Sequence, residues 1–181
     1  IGAGKSYVAK NFGYPIFDAD QEVSKLYKSD QKIFNKLKKK LPKFIYSTPI
    51  DKKEITNAIL TNKKNLDIII KIIHLEIRKK LSIFLKKNRK EKIIILDIPL
   101  LLENKINNKK DILIFVDSKK TQILKRLKKR KNYNEILLKK FKNIQLPVSY
   151  KKKKSQFIIR NDFTKKNVIN RIKIILKKLQ K

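Results

Sequence analysis

Runs of apolar residues and regularly spaced apolar residues alternate along the chain, and this alternation predicts its architecture. Three mainly apolar, β-branched runs have the character of strands buried on both faces of a parallel sheet. They cover residues 93–97, 111–117 and 156–160. A shorter extended run comes earlier, over residues 15–17. Apolar residues three and four positions apart predict helices, and these cover residues 5–12, 121–130, 133–143 and 167–179. We therefore expect an α/β domain with a doubly wound parallel sheet.

The stretch from Gln21 to Arg89 contains no strand pattern. Its apolar spacing predicts helix throughout, apart from a break over residues 41–50 that Pro42 and Pro49 mark. Near the other end of the chain, the run Lys151–Lys154 is expected to be a solvated loop. The sequence thus predicts a large helical insertion between strands of the sheet.

Length and residue content exclude several classes of protein. With 181 residues, the chain is long enough for one domain with a sizeable core. It has no cysteine, which excludes disulfides and thiolate metal sites, and its single histidine disfavours a histidine-based zinc site. The longest apolar run, residues 93–102, is too short for a membrane span and is interrupted by Asp97 and Pro99. No signal-peptide pattern is present at the N-terminus.

The net charge of +34 has two explanations. One is selection for binding nucleic acid. The other is compositional drift, because the 43 Lys, 30 Ile and 15 Asn residues are all encoded by A/T-rich codons. Arginine is the better reader of phosphates and bases, yet the chain has only 6. The dispersed lysines therefore favour drift over a nucleic-acid surface.

The segment from Gly2 to Ser6 carries the most specific chemistry. Gly4, Lys5 and Ser6 match the last three positions of the phosphate-binding pattern G-x-x-x-x-G-K-[ST]. Such a loop wraps phosphates with backbone N–H groups, while the lysine neutralises the β- and γ-phosphates and the hydroxyl binds Mg²⁺. A chance Gly-Lys-Ser at a helix start is the alternative, but two of the three glycines in the chain fall in this loop.

The first glycine of that pattern would lie two residues before Ile1. We therefore expect that a strand preceding the loop is missing from the 181 residues, and that they are unstable or inactive by themselves.

Asp18 and Asp20 follow the first extended run, and the carboxyl ends of strands are where open α/β sheets bind ligands. Paired acids beside a metal–nucleotide complex can orient the metal's waters and accept a proton from an attacking hydroxyl. Alternatively, Asp20 caps the helix that follows it.

Four motifs occur in order between residues 1 and 161. They read I-G-A-G-K-S, P-I-F-D-A-D, D-I-P-L-L-L-E and V-D-x4-Q-x3-R-L-x2-R. Together they resemble dephospho-CoA kinase, the last enzyme of coenzyme A biosynthesis. The resemblance implies ATP and dephospho-CoA as substrates, Mg²⁺ as cofactor and a cytoplasmic location, with no nucleic-acid or membrane partner. It also implies a nucleotide core over residues 1–20, 91–120 and 148–181, an acceptor-binding insertion over 21–90 and a lid over 121–147.

The resemblance also assigns roles to particular residues. Asp20 is the expected base, and Lys5, Arg126 and Arg130 are the other expected catalytic residues, the two arginines sharing one helical face. The expected ATP contacts are Gly2, Ala3, Gly4, Lys5, Ser6, Tyr7 and Asn161, with Ser6 also the expected Mg²⁺ ligand. The expected acceptor contacts are Asp18, His74, Arg78, Pro99, Leu100, Leu101 and Glu103.

Structural roles are open alternatives for several of these residues. His74 can be a packed helix residue, Asn161 a turn residue, residues 99–103 an ordinary turn, and the two arginines solvated charges. The chain also departs from the family pattern, with Tyr7 where threonine is commoner and Leu75 where proline is usual. Asp97 ends a strand as a metal-binding acid would, but it ranks below Asp18 and Asp20.

Two other functions compete with this interpretation. The first is another small-molecule kinase with a phosphate-binding loop, acting on nucleosides or nucleoside monophosphates. The helical insertion and the P-L-L-L-E segment disfavour it. The second is a basic nucleic-acid-binding protein, which would be expected to interleave aromatic residues with arginine.

Overall fold

The computed structural model describes residues 1–130 and 133–179. Its elements, in chain order, are α1 (Lys5–Lys10), β1 (Ile16–Asp18), α2 (Ala19–Ser29), α3 (Gln31–Lys40), α4 (Lys52–Thr61), α5 (Lys63–Lys87), β2 (Ile95–Asp97), β3 (Ile114–Asp117), α6 (Lys120–Lys128), α7 (Glu135–Asn143), α8 (Val148–Lys154), β4 (Phe157–Arg160) and α9 (Lys165–Leu179). The chain divides into two compact units. Unit 1 comprises Ile1–Ile16 and Ile95–Lys181, and unit 2 comprises Phe17–Ile94.

Unit 1 is built around parallel strands. β3 and β4 pair in parallel, with Ile114 opposite Phe157 and Asp117 opposite Arg160. Where β2 begins, the Ile95 N–H donates a 2.9 Å hydrogen bond to the Pro15 carbonyl. Parallel strands separated by helices confirm the predicted α/β class.

The core of unit 1 lies between the β3–β4 pair and two helices, α1 and α9. Its buried residues come from all four elements and the turn after α1: Val8, Phe12, Val116, Ile159, Val168, Ile172 and Ile175. The apolar face predicted for residues 167–179 therefore packs against the strands. This core fixes where α1 begins, and hence where the glycine loop before it lies.

Unit 2 is the helical stretch, with α5 packed against α2, α3 and α4. Each of these four helices begins at an Asp or Asn whose side chain accepts a backbone N–H. The capping residues are Asp18, Asp30, Asp51 and Asn62. Such caps satisfy donors that a helix leaves unpaired at its start. The helical insertion predicted over residues 21–90 thus has its structural counterpart in unit 2, although its exact boundaries and the lid over 121–147 stay predictions.

Two details of the predicted elements are wrong. A continuous helix was predicted from residue 21 to the break at 41, but it is interrupted at Asp30. The Asp30 carboxylate accepts a hydrogen bond from the Ile33 N–H and so caps α3. The lysine run 151–154 lies in α8 and is not a loop. Lys151 and Lys152 form ion pairs with Glu103 and Asp117, at 2.8 and 2.6 Å, and these contacts accompany the helical conformation.

Among the described residues, no helix is both long and apolar enough to cross a membrane.

Candidate active site

The glycines of the loop Gly2–Ser6 have conformations and surroundings that strongly favour glycine. Gly2 and Gly4 have φ angles of +78° and +86°. A Cβ atom on Gly2 would lie 2.9 Å from Ile123 Cγ2, and one on Gly4 would collide with the side-chain nitrogen of Asn161. The left-handed region disfavours residues with a Cβ. The sequence motif therefore corresponds to a loop that is tightly enclosed by unit 1.

The Ala3 carbonyl anchors this loop to the ends of two neighbouring strands. It accepts hydrogen bonds from Ser118 Oγ at 3.1 Å and from Asn161 Nδ2 at 2.8 Å. Ser118 follows β3 and Asn161 follows β4, and the Asn161 N–H donates to the Asp117 carbonyl at 2.7 Å. The loop thus lies at the carboxyl edge of parallel strands, where ligands bind in open α/β folds.

Asn161 uses both ends of its amide within the protein. Besides the bond to Ala3, its Oδ1 accepts a 2.9 Å hydrogen bond from the Phe163 N–H, and the residue is only 2% exposed. The structure thus gives Asn161 a role in holding the loop, while its contact with ATP stays a prediction. Ser118 was not identified from the sequence. Its position as a hydroxyl residue directly after an apolar strand is the signal that could have indicated a contact with the loop.

The three residues that follow the glycines begin α1. Lys5 and Tyr7 are exposed, Ser6 is half-buried, and the helix buries Val8 and Ala9 on its other side. Lys5 and the Ser6 hydroxyl are thus placed at the start of a helix, next to the enclosed loop. This is the arrangement that phosphate binding requires.

Arg126 lies near the loop on α6. Its guanidinium carbon is 4.3 Å from the centroid of the Phe163 ring, a cation–π contact. Arg130 follows the end of α6, where its N–H donates to the Leu127 carbonyl at 3.0 Å. The prediction that Arg126 and Arg130 share one helical face is therefore wrong, because α6 ends at Lys128. Phe163 was not identified from the sequence.

Glu103 is an internal ion-pair partner in unit 1. Its carboxylate accepts from Lys151 Nζ at 2.8 Å and from the Leu146 N–H at 3.0 Å. Burial raises the pKa of this carboxyl, but the hydrogen bonds from Lys151 and from backbone N–H groups outweigh it and hold the pKa below its ordinary value. Glu103 thus joins the turn after β2 to the segment between α7 and α8.

The predicted acceptor residues just before Glu103 form a compact turn. Leu100 has a φ of +55°, and its carbonyl accepts from the Asn104 N–H at 3.0 Å. The Leu101 carbonyl accepts from the Ile106 N–H at 3.1 Å. Pro99, Leu100 and Leu101 are all half-buried. This geometry fits the turn considered as an alternative and is also compatible with side chains that face a ligand.

Asp97 is a nearly buried acid in unit 1. It ends β2, is 7% exposed, and lies on a strand against which α1 packs. An acid at this position is expected beside a metal–phosphate complex.

The two acids predicted to act on the acceptor lie in unit 2. Asp18 is the N-cap of α2 and accepts from the Gln21 N–H at 3.0 Å. Asp20 is the second residue of that helix and is exposed. The alternative that Asp20 is the helix cap is therefore wrong, because Asp18 has that role.

His74 and Arg78 lie four residues apart on α5 in unit 2. His74 is half-buried, and burial, together with the nearby charge of Arg78, lowers its pKa. The imidazole is therefore biased toward its neutral form, which can both donate and accept a hydrogen bond.

Unit 2 also has a surface depression of about 590 Å³. Its lining consists of Ser24, Tyr27, Lys28, Pro49, Ile50, Asp51 and Lys52. It includes neither His74 nor Arg78, so it adds no residue to the predicted acceptor contacts.

Comparison with known proteins gives a consistent result. The family model for dephospho-CoA kinase matches residues 1–167. Dephospho-CoA kinase of Wolbachia pipientis wMel is 33% identical over 184 residues, which cover 99% of this chain and 94% of that protein. Dephospho-CoA kinase of Ehrlichia canis (strain Jake) is 31% identical over 97% of this chain and 90% of that protein.

Solved structures share the fold. TT1252 from Thermus thermophilus superimposes with a TM-score of 0.76 at 20% identity, covering 99% of this chain and 93% of that chain. Dephospho-CoA kinase from Campylobacter jejuni gives a TM-score of 0.63 at 22% identity, with the same coverage of 99% and 93%. These likenesses establish the fold, and the family model together with the relatives above 30% identity establishes the family. The chain belongs to the dephospho-CoA kinase family.

Proposed function

We propose that this chain transfers the γ-phosphoryl group of ATP to the ribose 3′-hydroxyl of dephospho-CoA, giving coenzyme A and ADP. The observation that carries the proposal is the enclosed loop Gly2–Ser6, whose Ala3 carbonyl is held by Ser118 and Asn161. Phosphoryl transfer passes through a loose transition state, so catalysis consists mainly of positioning and charge neutralisation. A rigid loop that presents backbone N–H groups to phosphates supplies the positioning.

Three cations of unit 1 are proposed to neutralise the transferring group. Lys5, the first residue of α1, contacts the β- and γ-phosphates from the loop. Arg126 and Arg130 lie on α6 and directly after it, in the segment expected to act as a lid. Their positive charge matters most in the transition state, when negative charge is spread over the oxygens of the transferring phosphoryl group. Ser6 completes the loop, and Tyr7, which follows it, is proposed to contact the nucleotide.

The residues of unit 1 fit a hard cation such as Mg²⁺. No cluster of three or more His, Cys, Asp or Glu residues occurs in the described chain, but Mg²⁺ in kinases typically needs only one or two protein oxygens beside the phosphates. Ser6 and the nearly buried Asp97 are such oxygen donors, on an adjacent helix and strand. When bound, Mg²⁺ would supply charge neutralisation of the β- and γ-phosphates.

Unit 2 is proposed to hold and activate the acceptor. Asp20 accepts the proton of the 3′-hydroxyl late in transfer, and Asp18 fixes the start of α2 that carries Asp20. His74 and Arg78 bind the phosphates of the acceptor, as a neutral donor and a permanent cation. Pro99, Leu100 and Leu101 of unit 1 line its apolar part, and Glu103 contributes by holding their turn.

The location and partners of the enzyme follow from the same proposal. ATP and dephospho-CoA are its partners, and the cytoplasm is where they occur together. The lysines that produce the net charge of +34 are spread along the chain, so no nucleic-acid partner is invoked.

A coupled ADP-release assay of the full-length protein tests the function. We expect ADP release with dephospho-CoA as acceptor and little with adenosine or AMP. Lys5→Ala should remove most of this activity with little change in melting temperature, because Lys5 is exposed. Lys10→Ala, at the other end of α1, is the matched control and should be near normal. Preference for adenosine or AMP would favour a nucleoside or nucleoside monophosphate kinase.

A further inference from the structure

Phe163 adopts a backbone conformation that is unusual for an aromatic residue. Its φ is +67°, in the left-handed region that favours glycine. Non-glycine residues persist there when their surroundings determine the conformation, and they cluster at functional sites. The residue lies two positions after Asn161, which holds the glycine loop.

Hydrogen bonds on both sides of Phe163 impose this conformation. Its N–H donates to Asn161 Oδ1 at 2.9 Å. The next residue, Thr164, donates from its N–H and its hydroxyl to the Asp162 carboxylate, at 3.0 and 2.8 Å. The backbone of Phe163 is therefore held by the same asparagine that anchors Ala3.

The ring extends between the loop and α6. Phe163 Cε1 lies 3.4 Å from where a Cβ atom on Gly4 would be. The guanidinium carbon of Arg126 lies 4.3 Å from the ring centroid. On the same helix, the side chains of Ile123 and Leu127 pack beside Gly2. The ring thus contacts the exposed arginine and lies on the side of Gly4 where a side chain would project.

We propose that Phe163 is a positioning residue for Arg126, holding the guanidinium beside the phosphate loop through the cation–π contact. An exposed arginine otherwise samples many rotamers, and a charge that is already in place costs no reorganisation during transfer. This inference rests on the proposed kinase activity and on the role of Arg126 in it. It adds a residue whose contribution depends entirely on that arginine.

A double-mutant cycle on turnover tests the inference. Cation–π contacts of an exposed arginine correspond to about 2- to 5-fold in an equilibrium or rate. Phe163→Leu should therefore lower kcat by roughly that factor while changing the KM for ATP less. In the Arg126→Ala background the same substitution should have no further effect on kcat, because the partner is absent. Phe163→Tyr keeps the ring and should restore near-normal turnover.

Controls separate positioning from a general effect on folding. Tyr150→Leu removes another cation–π contact, in which Lys154 Nζ lies 5.8 Å from the centroid of the Tyr150 ring, and should leave kcat unchanged. Phe163→Gly relieves the backbone conformation but removes the ring, so it should melt no lower than Phe163→Leu and still have reduced kcat. A loss of kcat that is the same with and without Arg126, or no loss at all, would overturn the positioning role.

A spectroscopic measurement tests the contact without turnover. The Nε–H signal of Arg126 in the wild-type protein, assigned with Arg126→Lys, should show a ring-current shift that disappears in Phe163→Leu. An unshifted wild-type signal would overturn the inference. If the wild type shows the shift but does not phosphorylate dephospho-CoA, the proposed function fails and the positioning role fails with it. If the wild type is active but the effects of Phe163→Leu and Arg126→Ala on kcat simply add, only the positioning role is refuted.

Discussion

The side-chain amide of Asn161 donates a 2.8 Å hydrogen bond to the carbonyl oxygen of Ala3, joining residues 158 positions apart. Through this bond, the end of β4 supports the backbone of the phosphate loop. The same amide accepts from the Phe163 N–H and so directs the ring that contacts Arg126. The buried side chain of Asn161 therefore supports both the phosphate loop and the backbone of Phe163.

Replacing Asn161 should weaken the loop. Asn161→Asp keeps the acceptor for Phe163 but turns the donor facing Ala3 into a second acceptor. A buried polar group left without its partner costs about 1–3 kcal/mol. We expect a lower midpoint in urea unfolding and a raised KM for ATP. Asn167→Ala, at a half-buried asparagine that donates to Asp162 at 3.1 Å, is the control and should change ATP binding little, because it removes one donor and adds no charge. Equal effects of the two variants would contradict the role given to Asn161.

The glycines allow a matched comparison of strain and collision. Gly4 and Gly13 have similar φ angles, +86° and +75°. A Cβ atom on Gly4 would meet Asn161, whereas one on Gly13 would meet no atom within 4 Å. Gly13→Ala should therefore lower the free energy of unfolding by about 1–2 kcal/mol, the cost of a left-handed backbone at a residue with a Cβ, and leave turnover normal. Gly4→Ala should also lose ATP binding, as measured by titration calorimetry. Normal ATP affinity in Gly4→Ala would contradict the enclosed geometry of the loop.

The Glu103–Lys151 pair predicts a pH dependence of stability. Hydrogen bonding holds the folded pKa of Glu103 below its ordinary value of 4.5. The pair therefore stabilises the fold fully above pH 4.5 and loses its effect as pH falls through the folded pKa. Glu103→Gln should cost about 1–3 kcal/mol at pH 7, and this difference from the wild type should shrink below pH 4.5.

Glu135→Gln provides the control for that measurement, because Glu135 and Lys139 form a pair with side chains that are 63% and 72% exposed. Exposed pairs contribute little. Its unfolding midpoint should therefore follow the wild type at every pH. A pH-independent difference for Glu103→Gln would show that the charge of Glu103 is not what stabilises the contact.

Asp18 and Asp20 should respond differently to the same substitution. Asparagine caps a helix as well as aspartate does, so Asp18→Asn should retain the stability of α2. Asp20→Asn should lose about 100- to 10,000-fold in turnover, the range of general-base contributions. Single-turnover rates at saturating ATP and dephospho-CoA measure this. A loss of less than about fivefold would remove Asp20 from the role of base.

Sequence reasoning succeeded where a local pattern has one physical meaning. The clustered glycines before Lys5 predicted a loop followed by a helix, and α1 begins at Lys5, directly after Gly2 and Gly4 at positive φ. The β-branched runs predicted parallel strands, and β3 and β4 pair in that way. In both cases the residue type itself determines which backbone conformations are favoured: glycine permits positive φ, and β-branched residues favour strands.

The errors and omissions arose where local signals compete or where contacts are distant in sequence. Asp30 fits the helical spacing around it, but its carboxylate caps a new helix instead. The lysines at 151 and 152 are ordinary surface residues by composition, yet their partners lie 48 and 35 positions away. Ser118 and Phe163 likewise acquire their roles only through contacts with Ala3 and Arg126, which no spacing rule reveals.

The central claim is that the loop Gly2–Ser6 binds the ATP whose γ-phosphoryl group is moved to dephospho-CoA. The most direct test incubates the purified full-length protein with γ-labelled ATP and dephospho-CoA and locates the label in the product by phosphorus NMR and mass spectrometry. Labelled coenzyme A, phosphorylated at the ribose 3′-hydroxyl, is expected in equal amount to ADP, with far less of both products from Lys5→Ala. Label on another acceptor atom, ADP formed without coenzyme A, or undiminished transfer by Lys5→Ala would contradict this claim.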